Sequence, residues 1–253
     1  MKQRKVSLSP ESKRQLIALG LAAGVSIIEE TLNLPDREEM AAEDLIEMII
    51  SRLYQNQHND KIKRLKRTAK LRYPTAEISC IDYSEGRNLE RRKIIELATC
   101  DYMITKTNLA LYGPTGCGKT YLACALANSA CTREYRSCYV RFPDLIESFE
   151  EHSEDIVGVR KLIRKLAKFS LLVIDEWLLT DLKSCHQDFL LDLIEFRHTD
   201  TSTVFCSQYN PSEWHERLGG GTKADSILDR IVHNMKRIEF GSKNMREVIA
   251  KRH

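Results

Sequence analysis

Eight consecutive residues, Gly113-Pro114-Thr115-Gly116-Cys117-Gly118-Lys119-Thr120, carry the spacing G-x-x-x-x-G-K-[ST]. These types at this spacing suit the capture of a polyphosphate. Its several negative charges must be met by convergent backbone N–H groups. Glycines at these positions tolerate left-handed φ values and leave room where a Cβ would meet phosphate oxygens. A helix starting near Gly118 would aim its positive dipole end at the same point. Lys119 would supply a point charge to the β- and γ-phosphates, and Thr120 a hydroxyl to Mg²⁺. Tyr121 closes the stretch expected to line the nucleotide site. A ligand-free glycine turn is the competing explanation, and the flanking residues disfavour it.

A second polar group follows the apolar run Leu171-Leu172-Val173-Ile174 at once, as Asp175 and Glu176. A strand carrying an acid to its tip beside the phosphate loop lets Asp175 hold Mg²⁺. Glu176, one residue on, can accept a proton from an attacking water, which favours hydrolysis over transfer to a hydroxyl. A small-molecule kinase would need an acceptor pocket and an arginine-rich lid, and the sequence offers neither. Gln208, after Val204-Phe205-Cys206-Ser207, could orient water near the γ-phosphate; a plain surface strand end fits equally well. Arg230 could project from a short helix into a neighbouring subunit's site. Such a contribution accelerates hydrolysis by roughly 10³- to 10⁵-fold. From spacing alone, an ion pair of Arg230 with Asp229 or Asp225 is the commoner outcome.

These groups need elements to place them. Residues 109–112 read as a buried strand, and Leu122, Ala125, Leu126 and Ala130 share a helix face after Lys119. Further strands are predicted at 138–142, 171–174, 203–206 and 237–240. Helices are predicted at 145–149, 159–167, 189–196 and 227–232. This alternation predicts an α/β fold with a doubly wound parallel sheet, and the unbroken apolar run 171–174 suits a strand buried on both faces. Upstream, 10–72 reads as helical. Leu16, Ile17, Gly20 and Leu21 form one stripe; Leu45, Ile46, Ile49, Ile50 and Leu53 form a stronger one. Pro35 separates them, and Asp36, Glu38 and Glu39 suit a helix start. Tyr73-Pro74 breaks the helical run. Residues 75–90 form a polar connector in which Ile81 or Tyr83 either touches the base or packs, and 89–103 is expected to be one helix. The expected domains are 1–74, all-helical, and 75–253, which holds the phosphate site.

The chain has 253 residues, 42% hydrophobic and 30% charged, as expected of a globular chain of one or two domains. Its net charge is only +3, so any nucleic-acid footprint must be local. No apolar run approaches the roughly 18 residues of a membrane span. Residues 1–5 are basic, but Glu11, Lys13 and Arg14 interrupt any secretory segment. Eight cysteines without a C-x-x-C pair argue against zinc and disulfide exchange and suit a reducing cytoplasm; Cys124 and Cys131 read as small core residues. The local charge is found at Lys61, Lys63, Arg64, Lys66, Arg67, Lys70 and Arg72, with no acid between them. Ile62, Leu65 and Ala69 share the opposite face. A solvated helix face is one explanation; contact with nucleic-acid phosphates is the other. Unbalanced like charge destabilises an isolated helix, which favours a partner, with Lys63, Arg64, Lys66 and Arg67 as the DNA-contact candidates. Low sequence specificity is expected, since aromatic and amide readout groups are scarce there.

With these residues in view, the chain resembles the IstB family of AAA+ ATPase helpers, encoded beside transposases in bacterial insertion sequences. More distantly it is similar to the helicase loader DnaC. The resemblance is carried by Ile95-Glu96-Leu97-Ala98-Thr99-Cys100, the 113–120 loop and Tyr121-Leu122-Ala123-Cys124-Ala125-Leu126. It continues through Ser207-Gln208-Tyr209, Glu213-Trp214-His215-Glu216 and Ala224-Asp225-Ser226-Ile227-Leu228-Asp229-Arg230-Ile231-Val232-His233-Asn234. It covers nearly the whole chain, the basic segment included. It implies an AAA+ P-loop core, a parallel sheet sandwiched by helices, preceded by a small helical domain. It implies ATP with Mg²⁺, ATP-dependent homo-oligomerisation on double-stranded DNA, and recruitment or stimulation of the element's transposase, with hydrolysis driving disassembly. A replicative helicase loader is the alternative. By resemblance Arg230 is the trans arginine finger, Arg246 the second sensor arginine and Ser207-Gln208 the first sensor position. AAA+ chains usually carry a helical lid after the last strand. Only 241–253 follow here, so a truncated lid is expected, with nucleotide closed in largely by a neighbouring subunit. Family members often carry Asp-Asp where this chain has Asp175-Glu176, and the glutamate should serve as the base.

Overall fold

The computed structural model describes residues 5–250. Residues 1–4 and 251–253, which hold most of the basic N-terminal run and the end of the expected short lid, lie outside the described residues. The chain divides into two compact units, Met1–Lys63 and Arg64–His253.

In the first unit α1 spans Pro10–Ala18 and α2 Gly24–Leu32, while α3, Ala42–Thr68, begins there and continues into the second. Ser9 caps α1 by accepting the Ser12 N–H at 3.0 Å. The acids after Pro35 do not open the helix. Arg37–Glu39 closes a single 3₁₀ turn and Met40 is extended, which postpones α3 to Ala42. The apolar stripes are only partly covered, since Ile17, Ile46, Ile50 and Tyr54 are all more than half exposed. Arg52 donates to the buried Thr31 hydroxyl at 3.1 Å and Leu53 lies against Gly24, so that side of α3 faces α2.

The second unit contains α4 (Arg91–Ala98), α5 (Asp101–Ile104), β1 (Asn108–Tyr112), α6 (Lys119–Thr132), β2 (Ser137–Arg141), α7 (Phe142–Glu150), α8 (Ile156–Ala167) and β3 (Leu171–Asp175). After these come α9 (Ser184–Glu195), β4 (Ser202–Ser207), α10 (Trp214–Arg217), α11 (Gly221–Val232), β5 (Met235–Glu239) and α12 (Met245–Ala250). The five strands are parallel, in the order β2-β3-β4-β1-β5. Alternation along each strand divides the core into two layers. Leu109, Leu111, Leu171, Val173, Val204 and Cys206 pack under α4, α5 and α6. Ala110, Leu172, Ile174 and Phe205 pack under α7, α8, α9 and α11. The end of α3 and the segment after it join the first layer, with Leu65, Ala69 and Leu71 buried in it. The sheet is therefore sandwiched between helices, as the β/α alternation predicts, and only the short α12 follows the last strand among the described residues.

Local differences from the sequence reading have simple causes. The helix expected over 89–103 breaks at Cys100, whose φ is +65°, into α4 and α5. Strand β2 ends one residue early because Phe142 and Pro143 form the first turn of α7. The one-turn α10 is too short to show a period. Among the described residues no helix is long and apolar enough to cross a membrane.

Candidate active site

Strand order assembles the site. β4 lies between β1 and β3, and the registers Tyr112↔Ser207 and Ile174↔Phe205 bring the three C-terminal tips level. The phosphate loop leaves β1, Asp175-Glu176 ends β3, and Gln208 leaves β4. All three face one cavity of about 310 Å³. The crossover direction reverses here, as is usual for ligand sites in open α/β sheets.

The loop residues divide by role. Thr115, Gly116, Gly118, Lys119, Thr120 and Tyr121 line the cavity. Gly113, Pro114 and Cys117 shape the loop from behind. At Gly113, with φ +141°, a Cβ would stand 2.7 Å from the Phe240 carbonyl oxygen. Gly118, φ +97°, is the N-cap of α6 and leaves that helix without a side-chain cap, so its first N–H groups face the cavity's edge. Lys119 Nζ donates to the Gly113 and Pro114 carbonyls at 2.7 and 2.8 Å, which seats its charge inside the curve of the loop.

Asp175 is 2% exposed and accepts three hydrogen bonds among the described residues. Thr120 Oγ1 and the Tyr139 hydroxyl donate to its Oδ2 at 2.9 and 2.7 Å, and the Glu176 N–H donates to Oδ1 at 3.0 Å. Burial and then the Asp175 charge push the Tyr139 phenol far above its ordinary range, so it remains a donor. A carboxylate and a hydroxyl in contact fit a hard cation that completes its shell with water and phosphate, so Asp175 and Thr120 suit Mg²⁺.

Glu176 has a positive φ of +58° and projects into the cavity. Arg141, at the tip of β2, donates to its Oε2 from Nε at 3.1 Å and from a terminal nitrogen at 2.7 Å. Arg72 lies 3.7 Å from Oε1. The bond to Glu176 raises the Arg141 pKa. The next residue, Trp177, is fully buried against Phe142, Phe205 and Trp214 at centroid distances of 4.9, 4.8 and 6.0 Å. Its backbone N–H donates to the Cys206 carbonyl at 2.8 Å, and its backbone carbonyl accepts from Ser207 Oγ at 3.0 Å. An aromatic anchor thus holds the strained turn that presents Glu176.

Ser207 is buried and holds this turn, whereas Gln208 is exposed and accepts from Thr115 Oγ1 at 3.3 Å. Of the pair, only Gln208 faces the phosphate loop. Arg246 also lines the cavity, because the Met245 N–H donates to the Gly116 carbonyl at 2.9 Å and pins the start of α12 to the loop. Arg230 is not among the residues lining its own chain's cavity. It pairs with Glu195 on α9 and donates to the Ser226 carbonyl at 2.8 Å, not with Asp229 or Asp225. Ile81 lines the cavity, while Tyr83 packs in the core under Arg91. Lys63, Arg64, Lys66 and Arg67 are all exposed on α3, opposite the buried Leu65, and Lys63 has Asp60 at 3.7 Å. Cys124 and Cys131 are buried, and all eight thiols are free.

Sequence reasoning missed Arg72, Arg87, Tyr139 and Arg141 as cavity neighbours. Arg141 carried a weak signal as a charge ending a predicted strand. Arg72 was visible only as the last of a basic run, and Arg87 carried no signal at all.

Residues 14–252 match the profile of the family described as IstB-like ATP binding protein. An insertion sequence ATP-binding protein of Sinorhizobium fredii, y4pL, is 32% identical over 92% of this chain and 94% of its own length. The crystal structure of DnaI is 25% identical and covers 68% of this chain and 90% of its own, with a TM-score of 0.53. The DnaC helicase loader, at 17% identity, shares the fold with a TM-score of 0.52 over 67% of this chain and 98% of its own.

Proposed function

This chain belongs to the IstB-like ATP binding protein family and is a P-loop ATPase of the AAA+ type; on that premise we propose that it is a DNA-bound helper of transposition. In this reading it assembles on double-stranded DNA with ATP, recruits or stimulates the transposase of the same mobile element, and comes apart on hydrolysis. Its setting is the cytoplasm. The observation that carries the nucleotide part is the meeting of Lys119, the Thr120–Asp175 pair, Glu176 and Gln208 at three level strand tips. The partner part is supported by the names of the insertion-sequence relatives and by the exposed cations of α3.

The chemistry follows from the residues. Loop N–H groups and Lys119 grip the β- and γ-phosphates, with Asp175 and Thr120 as the protein ligands for Mg²⁺. Bound Mg²⁺ neutralises charge on the phosphate oxygens. Gln208 orients the attacking water and Glu176 accepts its proton. Arg141 and Arg72 hold the Glu176 carboxylate, so its release from them sets when it can act. Arg230 reaches the site of an adjacent subunit, and Arg246 contacts the nucleotide within its own chain. Lys63, Arg64, Lys66 and Arg67 contact DNA phosphates without reading bases.

The test uses the full chain. Sedimentation with duplex DNA should show large assemblies with ATP and small species with ADP, and the transposase should join DNA ends faster only in the ATP case. A chain that stays monomeric on DNA with ATP sinks this reading. The fold shared with a helicase loader favours one alternative, in which the partner is a replicative helicase. Co-purification of the full chain with the helicase but not the transposase would select it.

A further inference from the structure

Arg87 lies in the connector before α4. It is 4% exposed, yet it lines the cavity. A Cβ built on Gly118 would stand 3.2 and 3.5 Å from its two terminal nitrogens, so the guanidinium rests against the N-cap of α6. Its backbone is held on both sides: its N–H donates to the Ser84 carbonyl at 3.3 Å and its carbonyl accepts the Gly241 N–H at 2.9 Å. The guanidinium carbon lies 5.9 Å from the centroid of the Phe240 ring. Among the described residues its Nε has no hydrogen-bond partner, and no carboxylate forms an ion pair with it. Arg72 and Lys119, two of the other cations lining the cavity, both have partners.

A buried guanidinium without an anion is costly. Burial lowers its pKa, and the nearby Asp82 and then Cys117 charges act against that. Its contact with Gly118 places it at the helix start. A guanidinium fork is shaped for two phosphate oxygens, and a helix N-terminus adds N–H donors to the same anion.

We propose that Arg87 is a binding residue for the pyrophosphate portion that ATP and ADP share, pre-positioned at the N-terminus of α6. This rests on the nucleotide reading of the cavity. It assigns Arg87 to affinity for both nucleotides and leaves discrimination of the γ-phosphate to Lys119 and Gln208.

The experiment compares the unaltered full chain with Arg87→Met, Arg87→Lys and Lys119→Ala. Affinities for fluorescent ADP and ATP are titrated, and melting is followed with and without ADP. Arg87→Met should weaken ADP and ATP by the same factor, about 10- to 100-fold, the worth of one to two charged hydrogen bonds. Without nucleotide it should melt at or above the temperature of the unaltered chain, because an apolar side chain replaces a buried unpaired charge. Arg87→Lys should fall between the two. Unchanged ADP affinity in Arg87→Met overturns the proposal, and so does a loss confined to ATP. An Arg87→Met chain that fails to fold, or melts early with ADP affinity intact, assigns the guanidinium to the fold instead. Unchanged ATP affinity in Lys119→Ala overturns the nucleotide reading itself, a result separable from all of these.

Discussion

Lys119 and Glu176 stand within one cavity but differ in what they touch, and that separates their roles experimentally. Lys119 is wrapped in loop carbonyls at the place where phosphates would be gripped. Its change to alanine should weaken ATP at least about 100-fold in a binding titration, in line with the loss of a buried charge contact. Glu176→Gln keeps the shape and the turn and removes the proposed base. It should bind ATP as the unaltered chain does and turn it over about 100-fold or more slowly, the usual worth of a positioned base. Arg141 occupies Oε2 of the same carboxylate through two N–H groups. Arg141→Ala should therefore raise turnover in the absence of DNA several-fold; a fall would mean that Arg141 orients the base productively.

At the scale of elements, the turn after β3 depends on its anchor. Trp177 is fully buried among Phe142, Phe205 and Trp214, and its backbone is tied to the Cys206 carbonyl and the Ser207 hydroxyl. Trp177→Ala should lower unfolding free energy by about 3–5 kcal/mol in a denaturant titration. Trp177→Phe should cost less and spare ATP binding, since it keeps most of the aromatic packing. The basic face of α3 makes a separate prediction. Replacing Lys63, Arg64, Lys66 and Arg67 together by alanine should weaken DNA binding and flatten the slope of log affinity against log salt, by about 0.9 for each phosphate contact removed. An unaltered slope would return those cations to solvent. The same helix shows where periodicity misleads. Ile46 and Ile50 complete a stripe on paper and yet lie exposed, while Arg52 and Leu53 are the α3 residues that meet Thr31 and Gly24 of α2. Periodicity shows which residues share a face, and packing decides which face is covered.

At the scale of the whole molecule, the role proposed for Arg230 needs a second copy. It lies outside its own cavity and is held by Glu195 and the Ser226 carbonyl. Arg230→Ala chains should bind ATP normally and lose stimulated turnover. Lys119→Ala chains, which lack a working site, should restore part of that turnover when mixed with them, because an intact Arg230 then meets an intact phosphate loop. No recovery in the mixture would confine Arg230 to the contact with Glu195.

The chain's linear order was enough to locate the phosphate loop, the Asp175-Glu176 pair and the β/α alternation, because each is encoded in residues adjacent in sequence. Period-2 and period-3.6 apolar patterns and glycine conformational freedom are local physics. The surroundings of Glu176 and Gly118 were not legible in the same way. Arg72, Arg87 and Arg141 come from a helix exit, a connector and a strand tip, and nothing in their spacing links them to residue 176 or 118. The strand order β2-β3-β4-β1-β5 brings Arg141 to the Glu176 carboxylate, and the bond between the Arg87 and Gly241 backbones fixes Arg87 beside the loop. Local patterns named the groups that can do chemistry; long-range pairing of strands and connectors alone decided which charges surround them.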